Sequence, residues 1–116
     1  MIPRLAITLG DPAGIGPEVV VKALARPDVR AACVPVVIGD AEILRETAAR
    51  VRLPFDAEIV DDAPLPRRAR QPGRPSVAAG GAAYRYIETA ARLAMDGAVD
   101  ALVTAPRSAA PGPVFP

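Results

Sequence analysis

The chain has no histidine and no tryptophan, a single cysteine, and only two tyrosines and two phenylalanines in 116 residues. Without histidine there is no side chain that titrates near neutral pH at its ordinary value, and no imidazole to ligate a metal. The lone thiol, Cys33, excludes an internal disulfide and a thiolate metal cluster. With no histidine to act as its base, it reads as a small buried apolar residue rather than a nucleophile. Excess charge of either sign is also lacking: 14 basic and 13 acidic residues leave a net charge of +1. Such a balance provides no electrostatic footprint for nucleic acid or an anionic membrane surface. No apolar run is long enough to span a bilayer, and the N-terminus enters a strand without a basic-then-apolar leader. The chain therefore reads as a soluble cytoplasmic protein of one domain. Its apolar fraction is 51%, but much of that is alanine, which buries little area and predicts a thin core.

What the chain does have is concentrated at Ile7-Thr8-Leu9-Gly10-Asp11-Pro12-Ala13-Gly14-Ile15-Gly16-Pro17-Glu18. Leu5, Ile7 and Leu9 predict a strand over residues 5–9. Gly10, Gly14 and Gly16 permit positive φ and close backbone approach, and Pro17 suits the first turn of a helix over residues 17–25. A strand, a glycine loop and a helix start form the junction at which open α/β sheets place binding sites. The spacing is neither G-x-G-x-x-G nor a loop ending in G-K-[ST], and Asp11 and Glu18 would repel a phosphate. On residue chemistry alone, a binding loop and a tight structural turn both remain open. Asp11 could accept a hydrogen bond from a substrate or cap its own turn, and Thr104 could bind a phosphate or close a strand.

Further along, Val34–Ile38 predicts a second strand with Pro35 at its start. Gly39 and Asp40 then lead into a helix over residues 41–52, with Leu44, Ala48 and Val51 on one face. Strand, Gly-Asp and helix thus occur twice. Residues 55–60 predict a weaker strand, and residues 61–75 a Pro- and Arg-rich loop. Its Arg67, Arg68, Arg70 and Arg74 could meet a phosphate-bearing partner or simply be solvated. A helix follows from Ser76 to about Met95, its buried stripe read as Ala83, Ile87, Ala90 and Ala94, with Tyr84 and Tyr86 as packing residues. Gly97 ends it, and residues 98–104 form a last strand. The alternation predicts an α/β fold with a parallel-type sheet flanked by helices, whose free edges invite strand pairing. Residues 107–116 read as a disordered Pro/Ala-rich tail.

Four segments, in order, resemble the 4-hydroxythreonine-4-phosphate dehydrogenase family of pyridoxal phosphate synthesis. They are the Thr8–Glu18 motif, Val36-Val37-Ile38-Gly39-Asp40, the stretch from Ser76 to Glu88, and Val99-Asp100-Ala101-Leu102-Val103-Thr104-Ala105-Pro106. The resemblance covers residues 4–106 and implies the beginning of a fold like that of isocitrate and isopropylmalate dehydrogenases. It further implies NAD, a divalent metal, a small phosphorylated hydroxy-amino-acid substrate and a homodimer. In the family the metal is held by histidines further along, and a lysine follows the Thr104-Ala105-Pro106 segment. Here Arg107 follows, keeping the charge but not the lysine's geometry. The residues that match the family's loops are Thr8, Gly10, Asp11, Gly14, Gly16, Thr104 and Arg107; none is read as catalytic and none as a metal ligand. The chain is accordingly expected to be a truncated, inactive portion of such an enzyme. A relative acting on a tetronate phosphate and a short non-catalytic binding module are the other readings.

Overall fold

In the computed structural model, which describes residues 2–62 and 77–106, strand β1 (Arg4–Thr8) is central to a four-stranded parallel sheet. Its neighbours are β2 (Val34–Gly39) and β4 (Ala101–Thr104), while β3 (Glu58–Asp61) flanks β2, giving the order β3-β2-β1-β4. Among the described residues four helices connect these strands: α1 (Gly16–Leu24), α2 (Pro27–Ala32), α3 (Ala41–Val51) and α4 (Val77–Met95). The predicted α/β class and parallel sheet are therefore observed. The chain first steps from β1 to β2 to β3, then α4 carries it back across β2 and β1 to β4. Right-handed crossovers require helices to change face when the direction of travel reverses. Accordingly α1 packs against α3, whereas α4 packs on β1, β2 and β4.

Side-chain alternation along β1 divides the core. Leu5 and Ile7 face α1, and Ala6 and Thr8 face α4. The α4 interface uses Ala79, Ala82, Ala83, Tyr86 and Ala90, all buried. This stripe differs from the expected one, since Ile87 and Ala94 are only half-buried. The helix carries alanines on several faces, so its phase is set by the fully buried Tyr86, the largest side chain available to the sheet.

Several boundaries also moved. Helix α2 was not expected: it has no buried residue, hence no apolar period to reveal it, and it starts on Pro27 with Asp28 in its first turn. The third strand starts at Glu58 rather than residue 55, because its pairing with β2 begins at Val36↔Glu58. One residue earlier on β2 stands Pro35, which has no N–H to offer that side. The fourth strand begins at Ala101 rather than at residue 98. Gly97, with φ of 77°, ends α4 as expected, and Cys33 is buried with its Sγ 3.6 Å from the Val29 carbonyl. Arg107, the tail, Ser76 and the cluster Arg67, Arg68, Arg70 and Arg74 lie outside the described residues. Among the described residues no helix is long and apolar enough to cross a membrane.

The second Gly-Asp junction is a helix cap. The Asp40 carboxylate accepts from the backbone N–H groups of Glu42 (3.0 Å) and Ile43 (3.1 Å), and Asp61 accepts from Ala41 N–H at 3.1 Å. At the other end, Arg52 takes the left-handed conformation (φ 59°) that closes α3. Replacing Asp40 by Ala is expected to lower stability by about 1 kcal/mol, and Asp40→Asn by less, as measured by urea denaturation of the purified chain.

Candidate functional site

Strands β1 and β4 end side by side, with Thr8 opposite Thr104, and the ladder continues through Ala105 N–H to the Thr8 carbonyl at 3.1 Å. The chain leaves β1 for α1 and the face it shares with α3, whereas β4 is reached from α4 on the other face. In open α/β sheets the crevice at such a reversal is where ligands bind. The two sequence signatures thus converge on one edge of the sheet.

Their convergence depends on absent side chains. Gly10 has φ of 75°, and a Cβ there would collide with the Pro106 carbonyl and stand 3.1 Å from that of Ala105. A Cβ on Gly16 would collide with the Leu9 carbonyl. Of the three glycines read as permitting positive φ, only Gly10 uses it; Gly16 serves close approach. Gly14 has neither requirement, because a Cβ there would meet Asp11 at an ordinary 3.4 Å.

Asp11 is buried and shapes the loop itself. Its Oδ1 accepts from Ala13 N–H at 2.8 Å, and its carbonyl accepts from Gly14 N–H at 2.9 Å, which folds residues 11–14 into an Asx-type turn. The two Gly-Asp junctions therefore differ: Asp40 caps its helix directly, whereas Asp11 builds a turn before one. No side chain caps α1, whose N-cap is Ile15 and whose first turn carries Glu18. Thr8 is fully buried toward α4, and its hydroxyl has no hydrogen-bond partner. Thr104 is exposed on the edge strand. Thr8, Gly10, Asp11, Gly14, Gly16 and Thr104 thus lie at or shortly after the carboxyl ends of β1 and β4, with the Thr8 and Asp11 side chains buried.

Beside the loop, a cavity of about 180 Å³ is lined by Pro12, Ala13, Gly14 and Pro17 together with Ile43, Glu46, Thr47 and Arg50 of α3. Sequence reasoning did not select Glu46, Thr47 or Arg50. Their spacing places them on one side of α3, but it is also that of any amphipathic helix. The cavity is smaller than the roughly 300–1,000 Å³ of ordinary small-molecule sites. Among the described residues no group of three or more His, Cys, Asp or Glu side chains could hold a metal ion.

Residues 31–110 match the family described as pyridoxal phosphate biosynthetic protein PdxA. The chain is 39% identical to a 4-hydroxythreonine-4-phosphate dehydrogenase of Synechococcus sp. (strain JA-3-3Ab), aligning 91% of this chain with 33% of that protein. It is 41% identical to a D-threonate 4-phosphate dehydrogenase of Cupriavidus necator, over 90% of this chain and 36% of that one. A crystal structure of a 4-hydroxythreonine-4-phosphate dehydrogenase from Burkholderia phymatum superposes with a TM-score of 0.87 at 37% identity, covering 93% of this chain and 37% of that chain. The chain therefore spans about a third of the length of these relatives.

Gly10→Ala and Gly16→Ala should each cost more than about 1 kcal/mol in thermal or urea unfolding, since backbone carbonyls must move, while Gly14→Ala should stay within about 1 kcal/mol of the parent. Thr8→Val removes a buried hydroxyl without a partner and should be neutral or stabilising in the same assay.

Proposed function

Because the chain belongs to the pyridoxal phosphate biosynthetic protein PdxA family, we propose that it supplies the N-terminal sheet and crevice loops of a dehydrogenase acting on 4-hydroxythreonine 4-phosphate. The observation that carries this reading is the agreement in sequence and fold over 93% of the chain against only 37% of the solved relative. The substrate class is a phosphorylated hydroxy acid, the element common to the two relatives' names. NAD would accept the hydride from the substrate's secondary alcohol, and a divalent metal would lower that alcohol's pKa and stabilise the developing charge.

The residues present do not fit the metal. The sequence has no histidine, and the described carboxylates form no ligating group. No catalytic step is therefore assigned to this chain's side chains. Its contribution is positional. Asp11 fixes the shape of the loop, and Thr104 is exposed at the end of β4. A cavity of about 180 Å³ beside the loop cannot enclose a dinucleotide, so NAD would need walls supplied from elsewhere.

The 116-residue chain alone is expected to form no NADH above background when incubated with 4-phosphooxy-threonine, NAD and Mg²⁺, Mn²⁺ or Zn²⁺. A full-length relative serves as the positive control, and absorbance at the NADH band is the readout. NADH production by the isolated chain would refute the reading.

A further inference from the structure

One side of α3 carries chemistry that neither the sheet nor the crevice uses. Ile43, Glu46, Thr47 and Arg50 recur at helical spacing and, together with loop residues that include Pro12 and Pro17, line the cavity of about 180 Å³. Among the described residues none from β4, and neither Ala105 nor Pro106, lines it, so this space is distinct from the crevice between the strand ends. Thr47 is only 6% exposed, yet among the described residues its hydroxyl takes part in no hydrogen bond. Buried hydroxyls are nearly always paired, and because Thr47 lines the cavity, a ligand there is the partner open to it. One turn on, the exposed Arg50 makes no ion pair among the described residues. A neutral donor and a guanidinium fork on one wall match a carboxylate, which accepts from both.

The rest of the lining narrows the ligand further. The volume limits it to a few non-hydrogen atoms. Glu46 shares the wall, and its like charge disfavours a doubly charged phosphate monoester more than a singly charged acid. Pro12, Pro17 and Ile43 offer apolar surface suited to a short hydrocarbon. We propose that this cavity is an accessory site for a short-chain monocarboxylate. Its carboxylate is held by the Arg50 guanidinium and the Thr47 hydroxyl, and its hydrocarbon part lies against Pro12, Pro17 and Ile43. A ligand so placed bridges α3 to the loop whose turn Asp11 builds, and stabilises the loop in that shape. The inference stands apart from the dehydrogenase reading, since the ligand is neither phosphorylated nor an oxidisable alcohol.

The experiment is a titration of the isotope-labelled 116-residue chain with sodium propionate at constant ionic strength, followed by amide ¹H–¹⁵N spectra. Saturable shifts are expected at Ala13, Gly14, Thr47 and Arg50, with a Kd on the order of 1 mM for so small a ligand. Propionamide, which has nearly the same shape without the charge, should bind about tenfold more weakly or worse. Arg50→Gln should weaken propionate binding by about tenfold or more, and Thr47→Val by about fivefold. Far-UV circular dichroism checks that each variant folds; the exposed Arg50→Gln should keep the parent spectrum and decides the matter if Thr47→Val does not. Linear, unsaturated shifts throughout the titration would overturn the proposal, as would a spectrum that stays undispersed with propionate present. Propionate affinity unchanged in Arg50→Gln would overturn it too. Inorganic phosphate binding the same residues as tightly as propionate would also overturn it, by showing an unselective anion site.

Discussion

Backbone packs directly on backbone where β1 and β4 end, and the arrangement of the crevice follows from that contact. Gly10 lies against the Ala105 and Pro106 carbonyls, and Gly16 against the carbonyl of Leu9. A methyl group at either position would push the loops apart. The separation would also disturb the bond from Ala105 N–H to the Thr8 carbonyl, the last rung between the two strands. The turn built on Asp11, the entry angle of α1 and the position of Thr104 all depend on this close approach. A short motif thereby fixes the relative placement of two segments some ninety residues apart in sequence.

Much of the architecture was legible because local signals and long-range pairing agree. Apolar Leu5, Ile7 and Leu9 marked the first strand and a β-branched run the second, and the Asp40 cap with the Leu44, Ala48 and Val51 face marked α3. Where signals were ambiguous, the sheet decided. Helix α4 could have buried any of several alanine-bearing faces, and only packing against the sheet selected the one containing Tyr86. Helix α2 buries none of its residues, so no periodicity announced it. The start of β3 is set by its partner strand, through the missing donor of Pro35, and not by its own composition.

The candidate site was legible as a set of residues but not as a division of labour. Glycine spacing identified a loop of close approach, yet which glycine needs positive φ and which needs space depends on Leu9, Ala105 and Pro106, contacts made only once β4 lies beside β1. Asp11 and Asp40 follow the same Gly-Asp pattern, and only the three-dimensional start of each helix separates a turn-forming carboxylate from a capping one. The buried position of Thr8 likewise follows from where α4 lies, a fact with no local signature.

The two aspartates at the end of β3 tie the layers of the molecule together. Asp61 accepts from Ala41 N–H and so holds the start of α3 on one face. Asp62 accepts from the Thr89 hydroxyl at 2.6 Å and pairs with Arg85 at 3.6 Å, holding the middle of α4 on the other. Asp61 ends the strand and Asp62 directly follows it, so two neighbouring carboxylates reach helices on opposite faces and act as a rivet through the sheet. Fraying of β3 would loosen both helices in the same event. An edge strand of four residues is therefore mechanically coupled to both layers, and the two faces of the sheet cannot open independently on that side.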